Sequence, residues 1–135
     1  MLTEKKVQRP WLDNYDREVP AHVDYEVLPV FEFLTRSARR TPKRNAVIFR
    51  NYRLSYAKLD RLTSVIASNL RANGLETGDK VAIMLPNLPQ TILAYWAVMK
   101  AGGVVVMANP LYMETEITHL LNDSGARFMI TLDLL

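Results

Sequence analysis

Apolar positions follow three successive patterns along the chain. Residues 1 to about 27 hold no sustained period and mix charge with Trp11, Tyr15, Val19, Pro20 and Tyr25, which predicts an extended amino-terminal arm. From Pro29 the spacing turns helical through Val30, Phe31, Leu34 and Ala38. It stops at Thr41-Pro42, because proline disfavours helix in the residue before it. Two short β-prone runs, Ala46 to Phe49 and Arg53 to Ser55, flank Arg50-Asn51-Tyr52, a spacing that predicts a small hairpin with Asn51 taking the positive φ. Ser55 then reads as the N-cap of a second helix that buries Leu59, Leu62, Ile66 and Leu70 and ends at Asn73-Gly74.

After Gly78-Asp79 the alternation disappears. Val81 to Leu85, Val104 to Met107 and Phe128 to Ile130 are continuous apolar runs, the pattern of strands covered on both faces. Helical stretches at about Pro89 to Ala101 and about Glu114 to Asp123 separate them, each long enough for a right-handed crossover between parallel strands. The first stops at Gly102-Gly103 and the second at Ser124-Gly125, while Glu114 and Glu116 suit the positive end of a helix dipole. The fold class is therefore α/β: a parallel β-α-β-α-β sheet with helices on its faces, preceded by an extended arm, a helix and a small hairpin. The boundaries are 1–27 for the arm and 28–135 for a partial α/β subdomain.

Composition removes whole classes of chemistry. With 135 residues, 49% hydrophobic content and a net charge of +3, the chain suits one domain. Cysteine is absent, which excludes disulfides, zinc ribbons, iron–sulfur ligation and thiol catalysis. No apolar run approaches the 18 to 20 residues of a membrane span, and Met1-Leu2-Thr3-Glu4-Lys5-Lys6 lacks the apolar stretch of a signal peptide. A soluble, cytoplasmic protein is expected. The five glycines, Gly74, Gly78, Gly102, Gly103 and Gly125, fit neither a G-x-x-x-x-G-K-[ST] loop nor a G-x-G-x-x-G turn, so the common backbone cradles for nucleotide phosphates are missing.

Two stretches carry a family resemblance. Leu54-Ser55-Tyr56-Ala57-Lys58-Leu59 resembles the first core motif of the adenylate-forming acyl-CoA synthetases, usually L-[ST]-Y-x-E-L. Met99-Lys100-Ala101-Gly102-Gly103-Val104-Val105-Val106, followed by Asn109-Pro110-Leu111-Tyr112, resembles the second, in the expected order and spacing. With Glu116, His119, Leu120 and Asn122 to Ala126, and with Trp11, Tyr15 and Val19-Pro20 in the arm, the chain looks most like the amino-terminal part of bacterial long-chain fatty acid–CoA ligases. The resemblance covers nearly the whole chain but only about the first quarter of the family's length.

The residues themselves read as architecture. Ser55 caps a helix that Tyr56 and Leu59 anchor, but Lys58 stands where the family has Glu, which removes half of a capping box and puts a cation near the positive dipole end. Gly102 and Gly103 end an apolar helix, and Pro110 marks a strand-to-helix turn. The resemblance implies a large domain of which this is the amino-terminal portion. It also implies ATP-dependent acyl-adenylate formation and then thioester formation with coenzyme A, with ATP, magnesium and coenzyme A as cofactors of the full-length enzyme. In the family the Ser/Thr/Gly-rich phosphate loop and the catalytic lysine come after the second core motif. The 135 residues alone are therefore expected to be inactive and to bind no cofactor. No catalytic, cofactor-binding or metal-ligating residue is assigned.

Other signals have plainer readings. Arg36, Arg39, Arg40, Lys43, Arg44, Arg50 and Arg53 form a basic segment without an acid. It reads first as a solvated face and second as a weak contact with anionic membrane lipid at the inner face; nucleic acid is not expected. His119 and Asp123 are four residues apart with no nucleophile or third ligand, and His22 is isolated. Tyr95, Trp96 and Met99 are read as core rather than as an acyl pocket. Alternatives are another acyl-, aryl- or amino-acid-activating member of the superfamily, or a free-standing flavodoxin-like module. A receiver variant of the latter wants acidic residues after its first strand and an Asp after its third, and fails because Pro86-Asn87 follows Val81 to Leu85 and Ala108-Asn109 follows Val104 to Met107. Partners expected are the remainder of its own chain and, as the family implies, a second copy in a homodimer.

Overall fold

The computed structural model describes residues 9–133. Residues 1–8 of the expected arm and 134–135 of the expected subdomain lie outside them. The arm region holds one 3-10 turn, Pro10–Asn14, with no buried residue, and then runs extended to α1, Phe31–Arg40. Strands β1 (Asn45–Phe49) and β2 (Tyr52–Ser55) form an antiparallel hairpin. Helix α2 (Tyr56–Ala72) leads to β3 (Lys80–Met84), and α3 (Pro89–Lys100), β4 (Val104–Met107), α4 (Glu114–Ser124) and β5 (Phe128–Thr131) follow.

The three later strands are parallel in the order β4-β3-β5. The chain steps outward from β3 to β4 and then back across β3 to β5, and the right-handed crossovers that parallel strands follow put α3 and α4 on opposite faces. Val81, Ala82 and Ile83 of the central strand are fully buried, as a continuous apolar run requires. The same expectation fails for β4 and β5: Val104, Met107 and Met129 are exposed. Apolar content records that a strand needs cover, but β5 has it on one face only, and β4 is exposed at both its ends, on opposite faces. Helix α4, on the other face, has no buried residue.

Two apolar clusters share α2 and α3. Ala67, Leu75, Val81, Ile83, Leu85, Ala94, Val98 and Ala101 form the larger, between sheet and helices. Leu34, Val47, Leu54 and Leu59 form the smaller, under the hairpin. Adjacent helical residues point about 100° apart, so Tyr95 packs against the larger cluster and Trp96 against the smaller, with their rings edge to face at 5.6 Å. The α2 face is also rotated from the expected one. Leu59, Thr63 and Ala67 lie at its buried centre, while Leu62, Ile66 and Leu70 flank it half-buried. Thr63 is tolerated there because its hydroxyl reaches the Leu59 and Asp60 carbonyls at 2.8 and 2.9 Å.

The hairpin loop corrects one further expectation. Phe49 pairs with Tyr52, leaving Arg50 and Asn51 as a two-residue loop, and Arg50 rather than Asn51 takes the positive φ, 51°. Primed turns fit the twist of the flanking strands, and all of them place positive φ at the first loop position.

Candidate functional site

The two motifs converge on the α2–α3 layer. Ser55 Oγ accepts the Lys58 backbone N–H at 3.3 Å, and Leu54 and Leu59 fill the smaller cluster. Lys58, which cannot complete a capping box, places its ammonium over the Tyr52 ring, 5.9 Å from the centroid. In the second motif Gly102 (φ 82°) and Gly103 bring the end of α3 against the turn before β3. The Gly78 N–H donates to the Gly102 carbonyl at 2.9 Å, and the Val104 N–H to that of Asp79 at 2.8 Å. A Cβ on Gly102 would sit 3.0 Å from Thr77 Oγ1, and one on Gly103 3.2 Å from the Asp79 carbonyl. These glycines permit a close backbone approach.

In sequence, Lys100 of the same motif is a single lysine ending an apolar helix and looks like a dipole partner. Its Nζ instead donates to Asp60 Oδ1 at 2.7 Å, to the Asp60 carbonyl at 2.8 Å and to Ser64 Oγ at 2.9 Å. Thr35 Oγ1 donates to the same carboxylate oxygen at 3.1 Å, so the Asp60 carboxylate ties α1, α2 and α3 together. An open cavity of about 320 Å³ lies beside it, lined also by Phe31, Ser68 and Arg71.

At the start of the sheet Asp79 accepts the Glu76 backbone N–H at 2.8 Å and Arg127 Nη1 at 2.8 and 2.9 Å. The Glu76 hydrogen bond first, and the Arg127 guanidinium second, hold its carboxyl below the usual carboxylate range. This joins the entry of β3 to that of β5.

The opposite, carboxyl end of the parallel strands is where open α/β sheets bind ligands, at the point where successive crossovers diverge. Here that point lies between β3 and β5. An apolar cavity of about 260 Å³ occupies it, bounded by Leu85, Leu93, Ala94, Ile130 and Leu132, with Gln90 and Thr131 as polar groups. It suits an apolar group and carries no acid, base or nucleophile. His119 and Asp123 share an open groove on α4 with Tyr112, Thr115, Glu116 and Leu120. The two side chains are not hydrogen-bonded to each other among the described contacts. His22 lies 3.5 Å from Asp24, both exposed. Among the described residues no three potential metal ligands gather, and no helix is long and apolar enough to cross a membrane.

The donor set present does not fit a nucleotide triphosphate. Lys100, the buried cation nearest a cavity, has its three protons committed to protein oxygens, and the glycines serve backbone turns and approaches. What these residues build is a scaffold, and the scaffold has relatives. The chain is 41% identical over 128 residues to the long-chain-fatty-acid–CoA ligase of Bacillus subtilis, covering 95% of this chain and 23% of that protein. It is 36% identical over 122 residues to that of Yersinia pestis, covering 89% and 22%. The chain thus spans under a quarter of the length of these relatives. Its fold superposes on the amino-terminal subdomain of Klebsiella oxytoca NpsA, solved with 3-hydroxyanthranilyl-AMSN, with a TM-score of 0.77 and 32% identity over 80% of this chain and 28% of that one. The AMP-binding enzyme family model matches residues 34–134, from within α1 to just past β5, and the chain belongs to that family.

Proposed function

We propose that these residues serve an acid–thiol ligase of the long-chain fatty acid–CoA type. In this reading the whole protein joins a fatty acid to ATP as an acyl-adenylate, with magnesium as the accompanying cation, and then transfers the acyl group to coenzyme A. The observation that carries the reading is the 41% identity to a long-chain ligase along 95% of the chain, which includes Lys100 and the Gly102-Gly103 approach. The chain's own part is structural: α2, α3 and β3 form a rigid wall for the large domain. The exposed Val104, Met107 and Met129 are assigned to contact with the remainder of the chain, and a homodimer is the proposed assembly. The proposed compartment is the cytoplasm.

An aryl-acid substrate is the second reading, favoured by the likeness to a subdomain solved with an aryl adenylate analogue. The test is pyrophosphate release by the purified polypeptide encoded in the reading frame that contains these residues, followed by thioester formation with coenzyme A. Palmitate-dependent release supports the first reading. Release with benzoates or anthranilates alone moves the assignment to the second, and release with no carboxylate overturns both.

A further inference from the structure

Helix α2 carries a stripe of small and polar side chains toward α1 and the end of α3. Asp60, Ser64, Ala67, Ser68 and Arg71 recur at helical spacings and line the open cavity of about 320 Å³ beside Lys100. Phe31, the first residue of α1, lines it from the neighbouring helix. Serine and alanine at 64, 67 and 68 are what leave this space unfilled, since a longer side chain at any of them would occupy it.

The charged groups around the cavity are not equivalent. Lys100 and Asp60 compensate each other, and the remaining Lys100 protons go to the Asp60 carbonyl and Ser64 Oγ. Arg71 has no such partner. Its Nη1 donates to the Ala101 carbonyl at 3.3 Å, where α3 ends, and it joins no ion pair among the described residues. That bond steadies the guanidinium and leaves Nε and Nη2, the edge through which arginine holds an oxyanion by two parallel hydrogen bonds. Ser68, three residues earlier on the same helix face, has a hydroxyl with no hydrogen-bond partner among the described contacts. The cavity therefore carries the uncompensated positive charge of Arg71, a free hydroxyl beside it, and apolar surface from Phe31 and Ala67.

We propose that this cavity binds a small organic oxyanion, a carboxylate or a phosphate ester, with its charged oxygens on Arg71 Nε, Arg71 Nη2 and Ser68 Oγ and its apolar body against Phe31 and Ala67. A cation is the poorer occupant, because Asp60 Oδ1 is already taken by Lys100 and Thr35 and the open charge is positive. A triphosphate is poorer too, since one guanidinium faces several negative charges and no further free cation lines the cavity. The proposal stands on the packing of α2 against α1 and α3 and is independent of the ligase reading.

Proton–nitrogen correlation spectra of the chain, titrated with phenyl phosphate, phenylacetate, inorganic phosphate or benzyl alcohol, test it. The two organic anions are expected to shift the Arg71 Nε–H resonance, identified by its loss in Arg71→Gln, and to bind with roughly millimolar affinity at their size. The tighter of the two identifies the ligand class as phosphate ester or carboxylate. Read from the backbone amides of α2, Arg71→Gln should weaken binding about tenfold and Ser68→Ala about threefold. Ser68→Leu fills the cavity from an exposed helix position at constant charge and should abolish binding. Arg40→Gln removes the same charge outside the cavity and should leave the affinity unchanged, and circular dichroism establishes that each variant is folded. Benzyl alcohol or inorganic phosphate binding as tightly as phenyl phosphate, an affinity unchanged in folded Arg71→Gln or Ser68→Leu, or an equal loss in Arg40→Gln would each overturn the proposal.

Discussion

Lys100 Nζ stands 2.7 Å from Asp60 Oδ1, with its side chain 9% exposed and that of Asp60 27% exposed. The pair joins the end of α3 to the second turn of α2 across the helix layer. Removing one partner strands the other, and for a fully buried pair this costs roughly 3 to 5 kcal/mol. Asp60 keeps some water and the Thr35 hydroxyl, so Lys100→Met is expected to cost about 2 kcal/mol. Asp60→Asn, which leaves an acceptor for the ammonium, should cost about 1 kcal/mol. Urea unfolding of the two single variants and the double should give a coupling of about 1 kcal/mol or more. Additive costs would mean that the pair is incidental to the packing of α2 on α3.

The element order was legible because each element has a local cause. Thr41-Pro42, Ser55 and Asn73-Gly74 bound their helices through effects that act within a few residues, and the structure places all three as expected. What sequence missed depends on residues far apart in the chain. Lys100 and Asp60 are separated by 40 positions, so nothing near either identifies the other. Thr63 sits at the centre of a buried face because two carbonyls of its own helix satisfy it, an outcome that apolar periodicity does not register. The outer strands misled for a related reason: Val104 and Met129 resemble Val81 in type, and only the strand order reveals which has neighbours on both sides.

Gly102 and Gly74 separate two costs of adding a methyl group. Both have positive φ, 82° and 90°, but a Cβ on Gly74 meets open space while one on Gly102 meets Thr77 Oγ1 at 3.0 Å. Gly74→Ala should therefore lose about 1 kcal/mol for backbone strain alone. Gly102→Ala should lose more, about 2 kcal/mol, because the crowding adds to the strain. Adding Thr77→Ala to Gly102→Ala should recover part of the difference, whereas adding it to Gly74→Ala should not. Thermal unfolding midpoints of the five proteins, the parent included, would check this. Equal losses at the two glycines would show that Thr77 yields without cost.

Lys58 offers a gain instead of a loss. The first turn of α2 has no acid, so Lys58→Glu supplies a carboxylate near the positive end of the dipole and the missing half of the capping box on Ser55. These effects contribute about 0.3 to 1 kcal/mol each. They are offset by about 0.5 kcal/mol for the cation lost from the Tyr52 ring. A net stabilisation of about 0.5 kcal/mol is expected by urea titration. It should persist in the Ser55→Ala background, which keeps both the residue 55 backbone N–H and the dipole end that the new carboxylate meets. No gain in either background would show that the lost Tyr52 contact outweighs both.

Asp79 sets a pH dependence whose sign follows from its geometry. Its carboxyl is held below the usual carboxylate range, first by the Glu76 backbone N–H and second by Arg127. A carboxylate with a lowered folded pKa contributes stability that is fully present above its unfolded value, near 3.9, and is lost as pH falls through the folded value. Urea midpoints measured from about pH 6 down to about pH 2.5 should therefore drop at the acid end. Asp79→Asn removes the titrating group while keeping an oxygen for the Glu76 N–H, so it should be less stable at pH 6 and flatter through the acid range. Arg127→Gln leaves the larger cause in place and should keep most of the slope. If Arg127→Gln flattened the profile as fully as Asp79→Asn, the ion pair rather than the turn hydrogen bond would govern the carboxyl, and the join between β3 and β5 would be chiefly electrostatic.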